Sequence, residues 1–148
     1  MASSQPEILF FKENVHFTLR NKSALPNWLV AVATKHKRKI ASLNYIFVND
    51  KMLLGMNRQF LNHDTFTDII TFDYSDELKN KNSVKGEIFI SIDRVKENAH
   101  KFKTSEKDEL HRVMAHGLLH LCGFKDKSAS DAKRMRSQEE NALDLRSF

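Results

Sequence analysis

His111-Arg-Val-Met-Ala-His116-Gly-Leu-Leu-His120-Leu-Cys-Gly123-Phe-Lys-Asp126 is the stretch on which the reading of this chain turns. His116 and His120 lie four residues apart in an apolar-periodic segment, so on a helix the two imidazoles share one face, one turn apart. Gly123 offers the helix a stop, because glycine takes the left-handed cap conformation without steric cost. Asp126 follows closely enough for the turn to bring its carboxylate back toward the two rings. Two imidazoles and a carboxylate, with a fourth position free for water, form a ligand set of catalytic zinc sites. A metal held there lowers the pKa of that water toward neutrality.

Neighbouring residues limit what such a site does. A zinc protease with an H-E-x-x-H helix places its glutamate base where this chain has Gly117, so a proteolytic reading loses its proton acceptor. His111 stands five residues before His116 and points about 140° around the helix. It is expected on the surface rather than among the ligands.

Composition bounds the rest. A chain of 148 residues, 41% hydrophobic with eleven phenylalanines, has the material for one domain, taken as residues 1–148, with a real core. Four glycines and two prolines argue for long regular elements with short connections. The single cysteine, Cys122, excludes an intramolecular disulfide and a Cys-rich zinc finger, and suits a reducing cytoplasm. No apolar run is long enough to span a membrane, and Met1 to Pro6 is small and polar, unlike a signal peptide. The net charge of +5 is compatible with a polyanionic partner such as RNA, although 19 acids interspersed among 24 bases also describe an ordinary solvated surface.

Hydrophobic period sets out the elements. Val15, Phe17 and Leu19 alternate with polar neighbours and predict an edge strand around 15–19. Leu25, Trp28, Leu29, Val32 and Ala33 predict a helix over 23–37, with Pro26 in its first turn and Lys35-His-Lys-Arg-Lys39 at its basic end. A strand over 43–48 follows, then a helix over 51–61 capped by Asn49 or Asp50, with Met52, Leu53, Met56 and Phe60 as its buried stripe. Ile69–Asp73 reads as a short internal strand, 75–85 as an exposed loop, and 86–92 as a fourth strand. Three helices close the chain: 93–102 with Val95, Ala99 and Phe102 inward, one opened by a Ser105–Asp108 capping box, and one over 130–145. The sum is a single α+β domain, about four strands in a mixed sheet packed with about five helices, with the metal site on a central helix.

The same residues resemble a known family. His116-Gly-Leu-Leu-His120-Leu-Cys-Gly123-Phe is similar to the H-G-x-L-H-L-x-G-Y-D-H signature of the YbeY-type endoribonucleases, the rRNA maturation factors. Upstream, Met56-Asn57-Arg-Gln-Phe60, Asp64 and Thr67-Asp68-Ile-Ile-Thr-Phe72 follow the family's L-N-x-x-Y…D-x-P-T-D-V-L-S-F, and Gly86-Glu-Ile-Phe-Ile-Ser91 follows G-D-I-x-I-S. The likeness covers roughly residues 43 to 126 in the family's order and spacing. It implies one zinc ion and cleavage of single-stranded RNA. It further implies work in rRNA maturation, at the 3′ end of small-subunit rRNA, and in ribosome quality control, with rRNA and the small subunit as partners and neither DNA nor membrane.

Carried over by position, the ligands are His116, His120 and Asp126, the last standing where the family has a third histidine. An anionic ligand lowers the charge of the site by one, which makes a bound water less acidic. Leu61 stands where the family has an arginine that acts on phosphate, so either a neighbouring cation such as Arg58 or His63 supplies that charge or activity is weak and a metal-held scaffold or binding role remains. Thr67 and Asp68 are expected in the shell around the metal or in a turn cap before the strand. The implied reaction is metal-assisted phosphodiester hydrolysis, by water or by a ribose 2′-OH, with the RNA backbone held by surface Lys and Arg and the general acid and base unassigned. Two other classes stay open: a ribosome-assembly factor that binds RNA through a structural zinc, and a metal hydrolase of a small molecule or peptide.

Overall fold

A computed structural model describes residues 5–63 and 65–148. In chain order the elements are β1 (Glu7–Lys12), α1 (Leu25–Lys35), β2 (Lys39–Val48), α2 (Asp50–Leu61), β3 (Ile69–Asp73), β4 (Ser83–Ser91), α3 (Ile92–Lys101), α4 (Glu106–Leu121) and α5 (Ala129–Asp144), with a short 3-10 turn at Ser75–Glu77. The four strands form one mixed sheet in the order β1-β2-β4-β3, with β1 and β4 parallel to β2 and β3 antiparallel to β4. This is the expected single α+β domain with four strands and five α-helices. No helix among the described residues is long and apolar enough to cross a membrane.

The two faces of the sheet carry unequal loads. Leu43, Tyr45, Phe47, Ile88 and Ile90 point into the main core, under α1, α4 and α5. Ile46, Val48 and Ile70 point to the other face, where Leu53 of α2 covers them. Helix α4 crosses the main core so centrally that Leu110, Val113, Met114, Ala115, Leu118, Leu119 and Leu121 are all buried. Two polar tips are satisfied across it: the Tyr45 hydroxyl donates to the Met114 carbonyl (2.8 Å) and the Trp28 indole N–H to the Ala142 carbonyl (2.8 Å).

Gly117 is where α4 lies hardest on the sheet. A Cβ there would sit 2.8 Å from Ile88 Cδ1 and 3.0 Å from Ile69 Cδ1. A side chain at 117 would therefore run into the sheet. Side-chain caps fix the N-termini of α4, α2 and α5: Ser105, Asn49 and Ser128 each accept a backbone N–H three residues on, from Asp108, Met52 and Asp131.

Several expectations are corrected. The first strand is Glu7–Lys12, not 15–19. It pairs with β2 up to Lys12–Phe47, and the left-handed Asn14 (φ 55) then turns the chain off the sheet. Val15, Phe17 and Leu19 do face the core, but from an irregular segment outside the sheet. β3 lies at the sheet's edge, not inside it, because β4 occupies the central position next to β2. Phe60 and Phe102 are both 56% exposed, since each sits at a helix end that overhangs the core. Ser83–Lys85, expected in a loop, extend β4.

Candidate metal centre

Helix α4 ends as its sequence requires. Gly123 takes φ +103, its N–H donates to the His120 carbonyl (3.0 Å), and the Phe124 N–H donates to the Leu119 carbonyl (3.0 Å). This is the Schellman pattern, which reverses the chain within two residues. The reversal carries Asp126 back over the last two turns of α4, where His116 and His120 present their rings with centroids 4.7 Å apart.

The three side chains converge. Asp126 Oδ2 lies 3.2 Å from His116 Nε2 and 3.4 Å from His120 Nε2. One ligand atom from each residue falls within 4.8 Å of the others, a group that could hold a metal ion. Zinc–ligand bonds of about 2.0–2.1 Å give a tetrahedral edge of about 3.3–3.4 Å. Both Asp126 gaps match that edge, and the two ring nitrogens lie within 4.8 Å of each other. His116 and His120 are partly buried and Asp126 is 41% exposed on its side chain, leaving one side open.

Behind the triad stands a residue that sequence reasoning missed. His116 Nδ1 lies 2.7 Å from Glu139 Oε2, and Glu139 is only 7% exposed. A carboxylate facing Nδ1 selects the tautomer that carries its proton there, which leaves the Nε2 lone pair turned toward Asp126. Arg112 meets Glu139 (3.3 Å) and Glu140 (2.6 Å), and lies 3.7 Å from the buried Glu109, so the Glu139 charge is compensated from α4. Burial lowers the pKa of His116, but its bond to Glu139 and the charges of Glu139, Asp126 and Asp68 outweigh that and leave it raised. One sequence signal marks Glu139: it continues the Met135–Ala142 stripe of α5 as the one charged side chain buried on that helix.

A cleft of about 600 Å³ opens beside the triad, between α4 and the free edge of β3. Leu61, Asp68, Ile69, Thr71 and Lys127 share its lining with His116, His120 and Asp126. The Asp68 carboxyl is pushed up, chiefly by burial and partly by Glu139, with His116 and Arg94 opposing. Thr67 acts locally instead: its hydroxyl donates to the Ile69 carbonyl (3.3 Å) and closes the turn into β3. Neither Arg58 nor His63 is in the lining, so the cation at the cleft is Lys127. Asp64 lies outside the described residues.

His111 corrects the expectation of a surface residue. It is 2% exposed, packed against Trp28 and Phe148 (centroids 5.4 and 5.5 Å), with Nδ1 2.9 Å from Arg146 Nη1. The 140° rotation that takes it away from His116 points it at α1 and the C-terminal tail, not at solvent. Burial, helped by Arg146 and Lys107, drives its pKa down to about 4. It stands apart from the triad, as expected of a poor ligand.

Comparison with known proteins agrees with the fold and gives the chain's relatives. The family model described as Endoribonuclease YbeY matches residues 9–146. The chain is 54% identical to Endoribonuclease YbeY of Cytophaga hutchinsonii over 95% of its own length and 96% of the relative's. It is 45% identical to the protein of the same name in Flavobacterium johnsoniae, over 90% and 93%. The solution structure of TM1509 from Thermotoga maritima superposes with a TM-score of 0.62 at 27% identity, covering 93% of this chain and 87% of that one.

Proposed function

We propose a reaction for this cleft from one premise: the chain belongs to the Endoribonuclease YbeY family. It is an RNA-cleaving hydrolase, and we assign His116 Nε2, His120 Nε2 and Asp126 Oδ2 as the ligands of a single zinc ion. The observation that carries this assignment is their convergence, with Asp126 Oδ2 at 3.2 and 3.4 Å from the two ring nitrogens. Bound there, zinc supplies Lewis acidity toward the scissile phosphate and lowers the pKa of a coordinated water.

The chain's own residues do the rest. Glu139 keeps the proton of His116 on Nδ1 and so holds the ring in its ligating orientation. Arg112 holds the Glu139 carboxylate in place. Gly117 lets α4 lie against β3 and β4, which sets the two histidines beside the cleft and leaves no position for a protease-type glutamate. Lys125 and Lys127, exposed on either side of Asp126, offer charge to the phosphates flanking the scissile one.

Family membership, a net charge of +5 and the lone, buried Cys122 support an rRNA substrate, a small-subunit partner and work in the cytoplasm. The test is cleavage of a single-stranded oligoribonucleotide by zinc-loaded protein. His116→Ala is expected to abolish cleavage while leaving ribosome binding measurable. Intact RNA with the wild-type protein would instead point to an RNA-binding assembly factor.

A further inference from the structure

The cleft has a polar wall that no side chain supplies. β3 is the outer strand and pairs only with β4. In an antiparallel pair, successive residues turn their N–H and C=O alternately toward the partner and away from it. The Ser91 N–H donates to the Asp68 carbonyl (2.9 Å) and the Tyr74 N–H to the Lys85 carbonyl (2.8 Å). In that register Ile70–Phe89 and Phe72–Glu87 are the bonded pairs. The main-chain groups of Ile69, Thr71 and Asp73 therefore point out from the sheet. The Thr67 hydroxyl donates to the Ile69 carbonyl, whereas among the described residues nothing takes up the N–H or C=O of Thr71. All three residues line the cleft that contains His116, His120 and Asp126.

An open strand edge is a hydrogen-bonding template, and its surroundings select what it binds. Leu61, Ile69 and Leu121 make part of the lining apolar, while Asp68 and Asp73 add negative charge. Those carboxylates disfavour a phosphate along β3 itself, leaving the phosphates to Lys127 and the triad in the same cleft. A flat, uncharged heterocycle fits, with apolar side chains against its faces and the peptide groups along its edge, as in other sites that hold an unstacked base. The volume of about 600 Å³ lies within the range of sites that enclose a small ligand.

We propose that the open edge of β3, centred on the Thr71 N–H and C=O, is a subsite for one unpaired nucleobase of the RNA strand lying in the cleft. The subsite rests on the endoribonuclease reading and adds a physical reason for single-strand preference. A base in a duplex has its Watson–Crick edge already bonded and cannot meet the Thr71 peptide. A base beside the triad also sets which phosphate comes under attack.

The test is Thr71→Pro, which removes the outward N–H while leaving the β3–β4 ladder its bonds, since proline is tolerated at an edge where its nitrogen faces out. Anisotropy of a labelled single-stranded oligoribonucleotide, and of the same strand with abasic riboses, is read on chelator-treated full-length protein so that the strands stay intact. The wild type is expected to bind the intact strand more tightly than the abasic one. T71P should lose about three- to tenfold for the intact strand, the worth of one hydrogen bond, and nothing for the abasic strand. An equal loss for both strands, or none, overturns the subsite. Should T71P fail to fold by circular dichroism, the wild type decides alone: equal affinity for both strands overturns the proposal and leaves the edge to an extended peptide. Absence of cleavage by the zinc-loaded wild type would refute the endoribonuclease reading separately, with this binding comparison still decisive for the subsite.

Discussion

The imidazole of His116 meets the buried carboxylate of Glu139 across 2.7 Å, joining two helices through residues 23 positions apart. Because that contact settles which ring nitrogen carries the proton, Glu139→Gln is expected to weaken zinc binding by about 10- to 100-fold. A competition titration against a chromophoric chelator reads this directly. ¹⁵N chemical shifts of the His116 ring should show the loss of a single tautomer, which a purely structural role for Glu139 would not produce.

His111 predicts an acid sensitivity that does not involve the metal. Its pKa is held near 4 in the folded chain, against about 6.5 when unfolded. The neutral ring is therefore compatible with the fold above the unfolded value. The contribution of the neutral His111 declines as pH drops below about 6.5 and is gone near 4, a change on the order of 3 kcal/mol. Denaturant unfolding of the wild type and of His111→Gln between pH 7 and pH 4 checks this. The variant should show a shallower acid slope, since carboxylate titration is common to both. Parallel slopes would mean that His111 is not buried in its neutral form.

Gly117→Ala tests the packing that positions the site. Alanine improves helix propensity by up to about 1 kcal/mol, but the added methyl meets Ile88 at 2.8 Å and Ile69 at 3.0 Å. Overpacking of that kind costs about 1–3 kcal/mol. The net expectation is a lower unfolding free energy and weaker zinc binding, as α4 lifts from the sheet. A gain in stability would show that the helix has room to spare.

Leu61 is 45% exposed in the cleft lining and brings no charge. Leu61→Arg adds a cation there and should tighten single-stranded RNA binding at low salt. The slope of log K against log salt should steepen by about 0.7. An unchanged slope would place the RNA backbone away from this side of the cleft.

The convergence of His116, His120 and Asp126 was legible because it is local. His116, His120, Gly123 and Asp126 belong to one helix and its cap, so spacing and a glycine conformation suffice to bring them together. Glu139 reaches the site from α5, and only tertiary packing shows that it faces His116, whereas Asp68, expected from the resemblance around the metal or in a turn cap, does line the cleft. The alternation of Val15, Phe17 and Leu19 reported correctly which side chains turn inward. Period says nothing about pairing partners, however, and the strand belongs to the less regular stretch before it. His111 was misplaced for a related reason. Rotating away from one helix face implies solvent only for a helix with a solvent side, and α4 has apolar neighbours nearly all round.

Zinc content of the purified chain beside Asp126→Ala tests the central claim most directly. About one equivalent per wild-type chain, with loss or sharp weakening of binding in the variant and parallel loss of single-stranded RNA cleavage, is the predicted result. Full zinc occupancy and undiminished affinity in Asp126→Ala would contradict the assignment of the centre.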